Sequence, residues 1–398
     1  MGIFRSLRRA VPMSALLAIA IAVVPAEAAT ETKKPAATAA KPAPAPKKPA
    51  ETAKRFAPIL PSVVFAPLLS DLPKPQGIGS DLVGPTLSTA PAEGDDDPGS
   101  DPVYAAFQRG LWVRAFGLAI PRAEAGDTAA MTMLGTLYET GLGAKIDQGK
   151  AAEWYGLAAR RGDREAATAL ALMHTEGRGV ARDLGRAGEL FRAAAAKNQP
   201  VALFNLAMMT LRGEIPEKDA GDPADLLERS AAQGNVEAQY ALASLLSDEK
   251  YPRRDPVRAA KWMREAAMAG FEAAEVEFAL MLANGRGVGK NLEDARVWFH
   301  RSALRGNAIG RNRLARMYAV GLGVDPDPVE AWKWHSLAKR QGLADLWLET
   351  RLADMSDAER KRAEDAADVI AGSPAPPPPR PSADDESVTP AGEAPASR

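Results

Sequence analysis

The sequence predicts an all-α solenoid of stacked, antiparallel helix pairs, for two reasons. The first is a period of 36 residues that repeats from residue 127 to residue 342 without an insertion or a deletion. The second is that apolar residues recur at helical spacing within both halves of each period. A period in the thirties is typical of stacked helical repeats rather than of a closed catalytic domain. The six units are 127–162, 163–198, 199–234, 235–270, 271–306 and 307–342.

Each unit begins with a predicted helix, helix A, whose first copy carries small or apolar residues at Ala130, Leu134, Leu137 and Tyr138. This spacing places them on one face of a 3.6-residue helix, so we expect that face to be buried. A pair of glycines then ends the helix, because glycine readily adopts the left-handed conformation found at helix C-termini. The glycine pairs are Gly141 and Gly143, Gly177 and Gly179, Gly285 and Gly287, and Gly321 and Gly323.

The second helix of each unit, helix B, is predicted to begin at an Asp or Asn, which are favourable N-cap residues. Pro256 and Pro328 follow two of these caps at the first helical position, where proline is tolerated. The predicted inward face then carries a pair of large residues followed by alanines, as at Trp154 and Tyr155. We expect the equivalent Trp262 to be buried as well. The predicted N-caps are Asp147, Asp183, Asp219, Asp255, Asn291 and Asp327.

The loop NGRGVGKN, Asn284 to Asn291, partly matches a phosphate-binding loop. A P-loop has glycine at its first position and Ser or Thr after the lysine, because that hydroxyl binds Mg²⁺. Asn284 and Asn291 occupy those two positions here. We therefore interpret the loop as a turn between helix A and helix B, with Lys290 in solvent.

Together these positions resemble the Sel-one-like repeat, a branch of the tetratricopeptide helical repeats. The resemblance covers residues 127–342 and implies a right-handed superhelix. Units 3 and 4 depart from it, with Ile215 at the second glycine position of unit 3 and Glu249 at a glycine position of unit 4, so we expect their loops to differ in shape. The best copy of the pattern is Ala130, Leu134, Gly135, Tyr138, Gly141, Gly143, Asp147, Ala151, Trp154, Tyr155, Ala158, Ala159 and Gly162.

Residues 101–126 and 343–371 are predicted to cap the two ends of the solenoid, since an uncapped terminal repeat exposes an apolar face. The N-terminal cap resembles a shortened unit that turns at Gly110 without the long loop. The C-terminal cap contains Ser356 followed three residues later by Glu359, which is the spacing of a capping box. We expect a final charged helix to start there.

Composition separates the solenoid from two tails. All seven tryptophans lie within residues 101–370, whereas 23 of the 32 prolines lie outside that range. Residues 29–100 and 372–398 are therefore predicted to be disordered linkers. Residues 55–72, RFAPILPSVVFAPLLSDL, are more apolar than a linker requires. They are either an unstructured spacer or a segment that docks on the solenoid or on a partner.

Residues 1–28 are predicted to form a secretory signal peptide. Three arginines among the first nine residues precede an apolar stretch, and Ala26-Glu27-Ala28 forms a small-x-small cleavage site. Cleavage is expected after Ala28. An uncleaved anchor is the alternative, although the uncharged run is shorter than the roughly 20 residues that span a bilayer. The chain contains no cysteine, so it can form no disulfide and carry no lipid on a cysteine. Together with the signal peptide pattern, this predicts a periplasmic or secreted location.

Charge and motif content favour a protein partner over other classes of ligand. The chain has 50 basic and 51 acidic residues and no basic stripe interleaved with aromatics, so we expect no nucleic-acid partner. His174, His300 and His335 each lack a second histidine four residues away, and neither a metal site nor a cofactor is predicted. Two S-x-x-K matches, at Ser247 and Ser336, lack the S-D-N and K-T-G motifs of penicillin-binding enzymes and are interpreted as chance matches.

The resemblance implies a binding role, since proteins similar to this family commonly act as adaptors. We expect an exported, non-enzymatic scaffold or adaptor that brings other proteins together in the cell envelope. Two alternatives stay open on the sequence. One is a periplasmic negative regulator of a sensor protein. The other is a cell-wall hydrolase, which would need a catalytic group that the motifs do not reveal.

We expect the partner to bind at variable positions of helix A. Positions two residues after the Ala130-type residues point about 200° away from the buried face, and they are predicted to line the inner surface of the superhelix. In the middle units these positions carry large apolar side chains, suited to gripping an apolar segment. The alternative is that they fill the space between adjacent A helices. The predicted partner-binding residues are Phe204, Met208, Tyr240, Val276 and Leu280.

Overall fold

The structure, a computed structural model, describes residues 101–372, and all regular secondary structure in that range is α-helical. Within each unit helix A packs against helix B, and helix B packs against helix A of the next unit. The predicted all-α solenoid of helix pairs is therefore confirmed. None of the helices in residues 101–372 is both long and apolar enough to cross a membrane. The predicted signal peptide, the N-terminal linker and the tail beyond residue 372 lie outside the described residues.

The helices follow the predicted units closely. The N-terminal cap and units 1 and 2 contain α1 (Pro102–Gln108), α2 (Trp112–Glu124), α3 (Thr128–Thr140), α4 (Gln148–Arg160), α5 (Arg164–Glu176) and α6 (Leu184–Ala196). Units 3 and 4 contain α7 (Pro200–Leu211), α8 (Glu217–Ala220), α9 (Pro223–Ala231), α10 (Val236–Ser247) and α11 (Pro256–Met268). Units 5 and 6 and the C-terminal cap contain α12 (Glu272–Asn284), α13 (Leu292–Leu304), α14 (Ala308–Val320), α15 (Pro328–Arg340), α16 (Leu346–Arg351) and α17 (Asp357–Ala371).

The residue that caps helix B also ties it to helix A. The carboxylate of Asp147 accepts a hydrogen bond from the Lys150 backbone N–H at 3.0 Å, as an N-cap should. The backbone N–H of Asp147 donates to the carbonyl of Tyr138 in helix A at 2.9 Å. The same backbone bond recurs between each N-cap and helix A in units 2, 4, 5 and 6, at Asp183, Asp255, Asn291 and Asp327. Each cap therefore fixes both the start of helix B and its position against helix A.

Unit 3 differs from the prediction. Its helix B is capped by Asp222 rather than by Asp219, which lies in the short helix α8. Asp222 precedes Pro223, which occupies the first helical position. The loop of unit 4 folds back on this start, since Arg253 donates to Asp222 at 2.5 Å and to Asp225 at 2.8 Å. The expectation that these two loops differ in shape is confirmed.

The glycine pairs have two separate functions, illustrated by Gly285 and Gly287. Gly285 ends α12 in the left-handed conformation, with φ of 69°. Gly287 also has a positive φ, and a Cβ placed on it would lie 1.8 Å from the carbonyl oxygen of Pro256, the first residue of helix B in the preceding unit. The second glycine is thus required by backbone contact between units. The same approach occurs between Gly143 and Trp112, Gly179 and Gln148, and Gly323 and Leu292.

The core lies between the A and B helices and continues through all six units. Tyr155 and Met263, the second members of the large residue pairs, are buried. Trp154 and Trp262 are only half-buried, so the prediction of full burial is wrong for them. Consecutive residues of a helix differ by about 100° in direction, and only the second member of each pair points fully toward helix A.

Both predicted caps contain the expected helices. In the N-terminal cap the chain turns at Gly110, which has a φ of 73°. Arg122 donates to Asp101 at 2.7 Å, and this bond holds Asp101 against the end of α2. At the C-terminus Ser356 and Glu359 form the predicted capping box at the start of α17.

We predict that Gly287→Ala destabilises the solenoid by at least about 2 kcal/mol, because the new Cβ meets backbone atoms and the residue has a positive φ. Chemical denaturation measures this change. Gly289→Ala is the matched control, since no heavy atom lies within 4 Å of a Cβ at that position. It should change the unfolding free energy by less than about 0.5 kcal/mol. Equal effects of the two substitutions would contradict the proposed contact between units.

Candidate binding surface

The predicted inner-surface residues are mostly buried. Phe204, Met208, Tyr240 and Val276 are each 4 to 5% exposed. Leu280 is half-buried. The prediction that these residues form an exposed apolar groove is therefore wrong for four of the five.

The reason is that the helix A of one unit covers this side of its neighbour. The ring of Tyr240 lies 4.8 Å from that of Phe271, which caps the helix A of the next unit. Asn312, in the same slot of unit 6, donates to Asp345 of the C-terminal cap at 2.7 Å. The side chains thus fill the space between adjacent A helices, as in the alternative considered from the sequence.

The exposed part of helix A lies about one residue further along. We call this surface the A face and define it by the slots of Ala129, Met133, Thr136 and Thr140 in unit 1 and their equivalents in the later units. These four positions fall within about 60° of one another on a helical wheel. Sequence reasoning included only the Thr136 slot, which holds Leu280 in unit 5, and it missed the other three because the limits of the buried face depend on the neighbouring unit. In unit 5 the A face carries Ala273, Glu277, Leu280 and Asn284, and in unit 6 it carries Ile309, Arg313, Arg316 and Val320.

Two charged side chains of opposite sign occupy the same slot of neighbouring units on the A face. Glu277 in unit 5 and Arg313 in unit 6 are both half-buried. Among residues 101–372, neither side chain makes a hydrogen bond or an ion pair, and Arg313 Nε is fully buried without a partner. Burial raises the pKa of Glu277, and the nearby Arg286 and Arg313 only partly offset that effect. Burial likewise lowers the pKa of Arg313. Both groups are partly desolvated without direct compensation.

The neighbouring charges on the A face are already engaged. Arg316 donates to both carboxylate oxygens of Asp345, at 2.7 and 3.0 Å, and lies 5.0 Å from the ring centre of Trp347. Burial opposes ionisation of Asp345, but the hydrogen bonds from Arg316 and Asn312 outweigh it and hold the pKa of that carboxyl below its usual value. Arg316 is therefore a structural part of the C-terminal cap, in contrast to Arg313.

A second surface feature is a trough of about 660 Å³ between units 1 and 2. It runs along α4, and its floor includes Leu170 and His174 of α5. It opens because α4 presents small residues there. The lining residues are Gly149, Ala152, Glu153, Gly156, Leu157, Arg160, Leu170, His174, Gly179, Val180 and Arg186.

The two adjacent interfaces are filled at the equivalent positions. Phe116 and Ile120 of α2 stand where α4 has Ala152 and Gly156, and the ring of Phe116 lies 5.4 Å from that of Tyr138 in an edge-to-face contact. Between units 2 and 3, the side chain of Ile215 packs directly on Gly188, so closely that a Cβ there would lie 2.5 Å from it. The trough therefore results from side-chain size at specific slots.

The motifs considered for catalysis bring no reactive group together in the described range. Ser336 donates to the carbonyl of Lys333 at 3.0 Å, and the Ser247 hydroxyl is buried. Neither serine hydrogen-bonds to a lysine amine among residues 101–372. In the same range, no cluster of three or more His, Asp or Glu side chains is placed to hold a metal ion.

The sequence matches the Sel1 repeat at six consecutive places, which together cover more than half of the chain. The chain belongs to the Sel1 repeat family. The matches coincide with the predicted units to within one or two residues at each boundary, which confirms the resemblance seen in the sequence. The matched ranges are 128–163, 164–199, 200–235, 236–271, 273–307 and 308–343.

Solved structures include other members of this Sel1 repeat fold. A Sel1 repeat protein from Oxalobacter formigenes is 23% identical, with a TM-score of 0.50, and the alignment covers 61% of this chain and 97% of that one. A protective antigen from uropathogenic Escherichia coli, which displays an SLR fold, is 26% identical, with a TM-score of 0.45 over 65% of this chain. The alignment spans 64% of the length of that antigen. No curated protein sequence matches significantly.

One buried histidine is expected to make stability depend on pH. His335 is fully buried, its ring packs against Trp332 at 5.7 Å, and its Nε2 lies 3.5 Å from the carboxylate of Glu349. Burial lowers the pKa of His335, and this outweighs the opposite effects of Glu349 and Asp345; Lys339 also favours the neutral form.

We therefore predict that the protein loses stability as the pH falls below about 6.5, since the unfolded chain binds a proton there that the folded chain does not. The loss ends once the pH has fallen through the folded-state pKa. His335→Leu should make the slope of unfolding free energy between pH 7 and pH 5 shallower, by at most about 1.4 kcal/mol per pH unit. His300, whose pKa is also lowered by burial, is present in both proteins, so their difference isolates His335. Parallel pH profiles would contradict this assignment.

Proposed function

We propose that this Sel1 repeat protein is an exported adaptor that binds other proteins in the cell envelope through its A face. Sel1 repeat proteins are generally protein-interaction scaffolds without enzymatic activity. The finer assignment, to the envelope and to this surface, is supported by the signal sequence pattern and by the charged residues of units 5 and 6.

The observation that carries the proposal is that Glu277 and Arg313 are both partly buried and that neither side chain makes a hydrogen bond or an ion pair within residues 101–372. Partial burial of a charge without a hydrogen-bonding partner costs free energy, and here two such charges lie in one slot of adjacent units. A bound protein segment offsets this cost if it supplies a donor to Glu277 and an acceptor to Arg313.

The spacing of the two units indicates what such a segment looks like. Adjacent packed helices are separated by about 8–10 Å. An extended chain advances about 3.3 Å per residue, so groups about three residues apart in the partner reach both side chains. We therefore expect a partner segment with a basic side chain facing Glu277 and an acidic side chain about three residues away facing Arg313.

We predict that the double substitution Glu277→Gln and Arg313→Gln weakens partner binding at least about tenfold, or 1.4 kcal/mol, because it removes both charge-assisted contacts. The mature protein would first be used to capture binding proteins from envelope extracts. The identified partner would then be titrated directly into the parent and variant proteins by calorimetry.

The matched control is Arg192→Gln with Glu265→Gln, which removes one basic and one acidic side chain from exposed positions on B helices. This control should bind the partner like the parent protein. The Glu277 and Arg313 variant should keep or increase its thermal stability, since the two charges are unpaired in the free protein. Unchanged binding by that variant would remove the A face of units 5 and 6 from the proposal.

Export is the second part of the proposed function. It is supported by the basic start, the apolar stretch and the small residues Ala26 and Ala28. We predict cleavage after Ala28 in a bacterial host with a periplasm. N-terminal sequencing of the protein from the periplasmic fraction should begin at Ala29. A cytosolic protein whose N-terminal sequence still contains residues 1–28 would show that the segment is not a signal peptide.

A negative regulator would use the same surface as an adaptor. The two roles differ in the partner, because a regulator holds the outer domain of one sensor and releases it on a signal, whereas an adaptor joins two proteins. Identification of the captured proteins distinguishes them. A single captured sensor domain favours the regulator, and two proteins held at the same time favour the adaptor.

A further inference from the structure

We propose that the trough between units 1 and 2 is the docking site for residues 55–72 of the same chain. This interaction is separate from the A face and does not depend on the proposed adaptor function. Four features support it: the shape of the trough, its lining, the composition of the segment and the length of the tether between them.

The floor of the trough includes apolar side chains, and the trough has room for added side chains. Ala152, Leu157, Leu170 and Val180 supply apolar surface. A Cβ placed on Gly156 would lie 3.5 Å from Arg160 and 3.9 Å from Leu170, so the α4 backbone there is not in close contact with another element. Glu153, Arg160 and Arg186 lie exposed around the trough. An apolar chain with polar ends fits this arrangement, because burial of its side chains releases water from the floor.

Residues 55–72 have the matching composition. No charged residue occurs between Arg55 and Asp71, and the stretch includes Ile59, Leu60, Val63, Val64 and Phe65. This is unlike the Lys-containing and Pro-rich sequence on its N-terminal side and the Asp-rich sequence that precedes residue 101. Prolines at 58, 61 and 67 restrict the backbone before binding, which reduces the entropy lost when such a segment docks.

The tether has a suitable length and starting point. Residues 73–100 separate the segment from Asp101, which Arg122 holds next to Asp127 at the start of unit 1. The trough lies along α4 of the same unit, about one or two helix spacings of 8–10 Å away. A flexible chain of this length has a root-mean-square end-to-end distance of about 30 Å. The segment therefore reaches the trough, at an effective concentration in the millimolar range.

Docking of this kind regulates access to an apolar segment. While the segment lies in the trough, its side chains are hidden from proteases and from other binding proteins. A partner that binds either the segment or the trough releases the other surface. The trough is thus an internal competitor for any protein that recognises residues 55–72.

The test is hydrogen exchange measured by mass spectrometry on the mature chain, residues 29–398. Amides of residues 55–72 should exchange at least about tenfold more slowly than those of residues 73–100. The variant Gly156→Ile with His174→Tyr fills the trough with the residues found at Ile120 and Tyr138, the equivalent positions of the preceding interface. It should abolish this protection while the thermal midpoint stays equal or rises.

A second variant changes the segment and leaves the solenoid intact. Ile59→Asp with Phe65→Asp introduces charge into the apolar stretch and should abolish protection of both the segment and the trough residues, whereas Thr86→Asp in the tether should leave both unchanged. If the amides of residues 55–72 in the parent protein exchange as fast as those of residues 73–100, the proposal is overturned. Protection that persists in the filled variant would also overturn it. Protection that increases with protein concentration would assign the trough to a second copy of the chain instead.

Discussion

The structure depends most on one backbone contact between successive units. The second glycine of the A-to-B loop lies against the carbonyl of the first residue of helix B in the preceding unit, at Gly143, Gly179, Gly287 and Gly323. No residue with a Cβ fits that approach. The backbone bond from the helix B N-cap to helix A then fixes the geometry inside five of the six units. Both contacts occur together in units 1, 2, 5 and 6, so the stacking of these units follows from local backbone geometry that is the same in each of them.

The middle of the array shows what replaces this contact when the glycine is absent. In unit 3, Ile215 occupies the second glycine position of the loop and packs on Gly188 of the preceding helix B. Here the large side chain lies in the loop and the glycine lies on helix B. In unit 4, Arg253 bridges to Asp222 and Asp225, and Tyr251 reaches Asp222 at 3.3 Å. Side-chain contacts thus connect units 3 and 4 to their predecessors, and the stack continues across both.

The two surfaces proposed for binding lie where residues depart from the repeat. The trough opens where Ala152 and Gly156 replace the large residues found one unit earlier, Phe116 and Ile120. The A face acquires unpaired charge where Glu277 and Arg313 occupy a slot that holds Met133 in unit 1. Because the backbone contacts are the same in the neighbouring units, these substitutions alter surface chemistry without changing how the units stack.

The sequence by itself determined the features that depend on nearby residues: the 36-residue period, the helix ends at glycine, the N-caps of five of the six B helices, and the capping box at Ser356. Each is set by interactions over a few residues, so it is visible in the local pattern. Only the tertiary structure decided which side chains are exposed. Phe204 and Tyr240 are buried by the next helix A, Trp262 is half-exposed, and unit 3 uses Asp222 as its cap. These outcomes depend on how adjacent units approach each other, and no single helix carries that information.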